Sequence, residues 1–167
     1  MDIRLYNASC KTVKDFLVYM ETIRGKSPRT VNEYALDLRT FFRFIKRKRG
    51  LVDSNVDFED ITVDDVDVET IASVTLGDIY EYLIYIQNER HNNASTRARK
   101  VSSLKTFYKY ACDKVGIVKE NPTINLETPK KKKSLPKYLS LEESLKVLEG
   151  IDGEYKERNY CIITLFL

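Results

Sequence analysis

Apolar residues recur at intervals of three and four along most of the chain, the spacing that lines one side of an α-helix. Val13, Phe16, Leu17, Met20 and Ile23 predict a first helix, with Thr12 as cap, Asp15 three residues on and Gly25 as stop. Ser27 followed by Pro28 predicts a second start: the hydroxyl can accept an orphan amide hydrogen, and proline fits the first turn without losing a hydrogen bond. This second helix has the stripe Val31, Tyr34, Ala35, Leu38, Phe41, Phe42 and Ile45, and the helical wheel sets Arg29, Thr40, Arg43 and Arg47 opposite. A third helix is predicted from about Thr75, with Asp78 in its first turn and Ile79, Leu83 and Ile86 facing inward. The fourth, "STRARKVSSLKTFYKYACDKVG", takes Ser95 as cap, Ala98, Val101, Leu104, Tyr108, Ala111 and Cys112 as its stripe, and Gly116 as stop. Its polar side carries Thr96, Arg99, Ser103 and Thr106, flanked by Lys100 and Lys109.

The texture changes after Gly116. Pro122, Pro129 and Pro136 punctuate a segment with no helical stripe, so the backbone is expected to run extended as a linker. Beyond it, Ser140 with Glu143 forms a capping box for a helix to about Glu149, and "EYKERNYCIITLFL" opens another. The apolar run "NYCIITLFL" is expected to pack inside something, which leads us to expect the N-terminal part of a longer protein. The fold class is therefore all-α, with a helical domain over residues 1–120, a basic linker over 121–138 and the first helices of a truncated second domain over 139–167.

Charge changes the picture because it is segregated. The 167 residues carry a formal +3, but Asp53, Asp57, Glu59, Asp60, Asp64, Asp65, Asp67 and Glu69 crowd one stretch that has no Lys or Arg. With these eight set aside, 17 of the 25 acidic residues remain against 28 basic ones, a balance of +11 that favours a polyanionic partner. The acidic stretch faintly suggests a calcium loop, but Phe58 stands where the sharp turn needs glycine and Asp64 where a bidentate glutamate belongs. It reads instead as a surface connection that aids solubility.

Other chemistry is sparse. Cys10, Cys112 and Cys161 are widely spaced beside apolar patterns and read as small core residues, with neither a disulfide framework nor a metal site indicated. His91 sits in the polar loop "RHNNAS" and reads as solvated. No apolar run approaches the ~20 residues of a membrane span and no secretory pattern opens the chain, so a cytoplasmic protein is expected.

The polar sides of the second and fourth helices carry the functional expectation. "SPRT" and "STRAR" each set hydroxyls and an arginine beside the orphan amides of a helix start, groups that donate to phosphate oxygens, while Arg and Lys in a major groove neutralise phosphates or fork onto guanine. The expected contacts to duplex DNA are Ser27, Arg29, Thr30, Arg43, Ser95, Thr96, Arg97, Arg99, Lys100, Ser103 and Lys105, with Arg29, Arg99 and Lys100 foremost. Lys130, Lys131, Lys132 and Lys133, between Pro129 and Pro136, are expected to follow the phosphates.

Three stretches, "SPRTVNEYALDLRTFFRFI", "STRARKVSSLKTFYKYA" and "NPTINLETPKKKKSLPKYLSLEESLKVL", in that order and followed by the apolar "RNYCIITLFL", resemble the N-terminal half of a tyrosine recombinase of the Xer or phage-integrase type. The resemblance implies a four- to five-helix SAM-like core-binding domain that clamps duplex DNA together with a catalytic domain. It further implies a tetramer of protomers on two sites and a tyrosine nucleophile that needs no metal or cofactor. The family's catalytic arginine, in a "GLR"-like motif, and its nucleophile have no match in this chain, so no catalytic residue is assigned. The acidic stretch between the second and third helices is longer than the family's usual connection. A non-catalytic DNA-binding regulator and a helical protein-interaction domain are the alternatives.

Overall fold

The computed structural model describes residues 2–129 and 138–166, which form two compact units dividing at about residue 131. Lys130 to Lys133 lie outside the described residues. The first unit contains α1 (Ile3–Asn7), α2 (Lys11–Thr22), α3 (Pro28–Lys48), α4 (Val68–Ala72), α5 (Leu76–Asn88) and α6 (Ala94–Tyr110). A single π-helical turn over Ala111–Val115 extends α6. The second unit contains α7 (Leu141–Glu149) and α8 (Lys156–Phe166), and no strand occurs among the described residues.

Four of the expected helices of the first unit form, with instructive shifts at their ends. Cys10, not Thr12, stands at the N-cap of α2 and makes no side-chain capping bond. Beyond the C-terminus of α2, Gly25 adopts the left-handed conformation (φ 58°) and lets the Lys26 amide donate back to the Met20 carbonyl at 3.0 Å, closing orphan acceptors of the last turn. Ser27 caps α3 by accepting from the Thr30 amide, with Pro28 in the first turn. Thr75 and Asp78 form a reciprocal capping box on α5. On α6 the cap is Asn93, whose Oδ1 accepts from the Thr96 amide at 2.8 Å; Ser95 instead lies exposed in the first turn. The short helices α1 and α4 were not foreseen from the sequence.

The core gathers around α3, which packs against α2, α5, α6 and α1. Phe16, Phe41, Phe42, Tyr82, Phe107 and Tyr108 are fully buried and meet largely edge to face, as in Phe16–Phe107 at 5.4 Å and Phe41–Tyr82 at 5.1 Å. Of the cysteines only Cys10 belongs to this core; Cys112 is half-buried and Cys161 exposed.

The acidic stretch is no solubilising surface connection. Phe58, Ile61, Val63, Val66, Ile71 and Val74 sink into the unit, and Ser9 and Val63 form an isolated parallel bridge. The acids close over the C-terminal half of α3. Glu59 accepts from Arg43 at 2.5 Å and from Arg90 at 2.8 Å, and Lys46 reaches Asp65 at 2.7 Å. Arg43 and Lys46 are buried by this clasp, and two of the eight acids, Glu59 and Asp65, meet their cations inside the unit. Downstream of α6, Val118, Thr123 and Leu126 are also buried, so residues up to 126 pack with the first unit rather than running free as an extended linker.

Two carboxylates tie this clasp to pH. Asp78 and Glu59 both lie below their ordinary values: burial opposes the charge, but Lys48 and the Thr75 cap on Asp78, and Arg90 and Arg43 on Glu59, outweigh it. A depressed carboxylate stabilises the fold above its unfolded value, about 4, and loses that stabilisation as pH falls through the folded value. Urea midpoints are therefore expected to hold between neutrality and about pH 5 and to drop below about pH 4. Glu59→Gln should remove part of that drop.

In the second unit, α7 starts on the expected capping box, Ser140 accepting from the Glu143 amide and the Glu143 carboxylate accepting from the Ser140 amide. Leu141, Leu145, Tyr160, Ile162, Leu165 and Phe166 are exposed.

Candidate nucleic-acid interface

The N-terminal half of α3 and the first turns of α6 bound a cleft of about 260 Å³ lined by Arg29, Thr30, Glu33, Tyr34, Arg99, Ser102 and Ser103. The local sequence explains why this edge stays polar. Arg29 precedes the first buried residue of α3, Val31, and its guanidinium is exposed with no partner among the described residues. Ser27 Oγ and Thr30 Oγ1 lie 3.0 Å apart at the capped start of α3. Arg99 is partly exposed on α6, one residue beyond the buried Ala98.

Beneath the cleft sits a buried ionic cluster. Asp37 of α3, 1% exposed, accepts from Arg99 at 2.6 Å, from Lys100 Nζ at 2.9 Å and from Ser103 Oγ at 2.7 Å. Arg99 also meets Glu33 at 2.8 Å. This changes the standing of three expected contacts. Lys100 and Ser103 are buried against Asp37 because their positions fall at the edge of the α6 stripe, where α3 covers them. Their polar atoms are engaged inside the protein. Arg99 alone of the three keeps a guanidinium partly open to solvent, held in place by two carboxylates.

The remaining expected residues scatter. Arg43 lies at the other end of α3, its guanidinium donating to Glu59 and to the Ile61 carbonyl at 2.9 Å, so it faces the acidic clasp. Arg97 donates to the Asn92 carbonyl at 2.6 Å and braces the loop before α6. Ser95 is exposed and Thr96 half-buried at the α6 start, while Lys105 lines a different cleft, between α2 and α6. Sequence reading missed Asp37, Glu33 and Ser102. The signal for Asp37 was present: a lone carboxylate between apolar Ala35 and Leu38 calls for buried cations from a facing helix.

The decisive comparison follows from this helical unit. The profile described as "Phage integrase, N-terminal SAM-like domain" matches residues 10–116, spanning the start of α2 to the end of α6. The chain belongs to that family. Among curated relatives, the chain is 49% identical over 155 residues to a protein named tyrosine recombinase XerC from Caldanaerobacter subterraneus subsp. tengcongensis, covering 93% of this chain and 44% of the relative. It is 30% identical over 139 residues to tyrosine recombinase XerC of Leptospira interrogans serovar copenhageni, covering 83% of this chain and 38% of that protein. To tyrosine recombinase XerD of Listeria monocytogenes serotype 4b it is 29% identical over 140 residues, covering 84% and 41%. The chain thus spans less than half the length of each of these relatives. No solved structure matches it. No helix among the described residues is long and apolar enough to cross a membrane.

Proposed function

We propose that this chain is the DNA-binding portion of a site-specific tyrosine recombinase, seating the N-terminal half of α3 and the exposed side of α6 on duplex DNA. The observation that carries the reading is the α3–α6 cleft, where unpaired Arg29 and carboxylate-held Arg99 flank two capped helix starts. Helix N-termini and hydroxyls position phosphates, and arginines supply the fork that reads guanine. The relatives named XerC and XerD point the same way, and chromosome dimer resolution suits the XerC likeness. In the parent protein, protomers assemble as a tetramer on two sites and the strand-cleaving chemistry lies in another domain. Within this arrangement Lys100, Ser103 and Arg43 are supports of the fold, while Ser27, Thr30, Ser95, Thr96 and Lys105 remain candidate contacts.

Titration of the 167-residue chain on duplex DNA tests the reading. Binding should be weak, should strengthen as salt falls, and should leave the strand uncut on a nicked suicide substrate. Arg29→Ala should weaken binding at a cognate site by about 1–3 kcal/mol more than at random DNA if the guanidinium forks onto a base, and equally at both if it meets only phosphate. Salt-insensitive binding, or none, would instead favour a helical protein-interaction domain.

A further inference from the structure

Arg99, Ser102, Thr106 and Lys109 follow one another along α6 at steps of three and four, so they share one side of the helix. Ten residues at ~1.5 Å carry that side about 15 Å beyond the cleft described above, or roughly four base pairs of duplex rise at ~3.4 Å each. There a second cleft, about 450 Å³, opens between α6 and the end of α2. Its walls bring Arg24, Lys105, Lys109 and Lys114 together against one carboxylate, Asp113, beside the rings of Tyr19 and Tyr110, whose centroids are 5.0 Å apart.

Two features mark this cluster. Arg43, Lys46, Lys48, Arg49 and Lys100 are all bound to carboxylates, whereas the side chains of Arg24, Lys105, Lys109 and Lys114, like that of Arg29, make no hydrogen bond or ion pair among the described residues. The backbone also brings two of the lysines to one place. A step of five residues in an α-helix turns about 140° away, so Lys114 would leave the side that carries Lys109. The turn over Ala111–Val115 is π-helical, with wider i→i+5 bonding, and both lysines line the same cleft. Gly116, left-handed at φ 72°, then stops the helix and lets the Ile117 amide donate to the Ala111 carbonyl at 3.1 Å.

We propose that the α2–α6 cleft is a second seat for the DNA strand, in which these four cations take successive phosphodiester groups of the duplex that lies on the α3–α6 cleft. The proposal rests on the DNA-binding reading above. Flexible lysines act on phosphate as point charges, and four cations drawn from the end of α2, from α6 and from the turn after it suit a run of phosphates better than one small anion. The seat strengthens binding without reading sequence.

The test is the double variant Lys109→Gln, Lys114→Gln in the 167-residue chain, titrated on a random-sequence duplex across a salt series. Both lysines are exposed, so the fold should survive, as thermal unfolding would verify. The log-affinity against log-salt slope should flatten by about two. Lys11→Gln, which removes a lysine already paired with Asp15, serves as the control and should change it little. If the double variant keeps the parent slope while Arg29→Ala weakens binding, the cleft lies off the duplex and the proposal fails, although the DNA reading stands. If neither change weakens binding, both fail. If the slope flattens only because inorganic phosphate competes at the cleft, as a phosphate titration in constant ionic strength would reveal, the cleft is a free-anion site and the proposal is overturned.

Discussion

Asp37→Ala is expected to cost about 3–5 kcal/mol of stability, enough to unfold many domains of this size. The reason is the asymmetry of buried charge. An intact buried pair roughly balances desolvation against attraction, but removing one partner strands the other. Here the stranded groups are Lys100, whose side chain is 10% exposed, and the fully buried Ser103 hydroxyl, which retains only the Arg99 carbonyl at 3.2 Å. Asp37→Asn should cost less, because an amide oxygen still accepts from one or two of the donors while the compensating charge is lost. Urea unfolding of the two variants measures this. A loss below about 1 kcal/mol for Asp37→Ala would mean that Lys100 escapes to solvent and that the cluster is not a staple between α3 and α6.

The same variants separate staple from reader. Asp37 and Glu33 hold the Arg99 guanidinium at the cleft, so in a buffer where Asp37→Asn stays folded, its DNA affinity should fall in proportion to how far Arg99 loses its pose. Arg99→Ala removes the pose and the fork together.

What the sequence made legible were the elements with a full amphipathic period and unambiguous punctuation. Ser27–Pro28, the helix start at Thr75 with Asp78 in its first turn, the Ser140–Glu143 box, Gly25 and Gly116 each act through the local backbone, and each appears where expected. Helices α1 and α4 have five residues each, too short for a stripe to repeat. The candidate site was legible in part for the same reason. Residues on the outer sides of α3 and α6 could be named from a wheel, but a wheel does not say which polar positions a neighbouring helix will cover. Ser103 and Lys100 sit at that boundary, and Asp37 on α3 decides their fate. The acidic stretch was misread because its partners, Arg43 and Lys46, lie 16 and 19 residues from the acids they meet. Charge counting along the chain treats such groups as separate when the fold cancels them.

The four lysines between Pro129 and Pro136 carry the other large expected effect. Replacing Lys130 to Lys133 with alanine is expected to leave thermal unfolding of the helical unit unchanged, since Leu126 is the last buried anchor before them and the core is built from earlier residues. DNA binding should change strongly. At about 0.9 of slope per neutralised phosphate, four contacts contribute about 3.6 to the dependence of log affinity on log salt, so the variant's plot should flatten by roughly that amount. Between ~50 and ~200 mM salt the parent would then lose about 150-fold more affinity than the variant. The effect should be equal on cognate and random duplexes, because phosphates carry no base identity. An unchanged slope on both duplexes would assign these lysines to solubility, and a loss confined to the cognate site would assign them to base reading instead of the backbone.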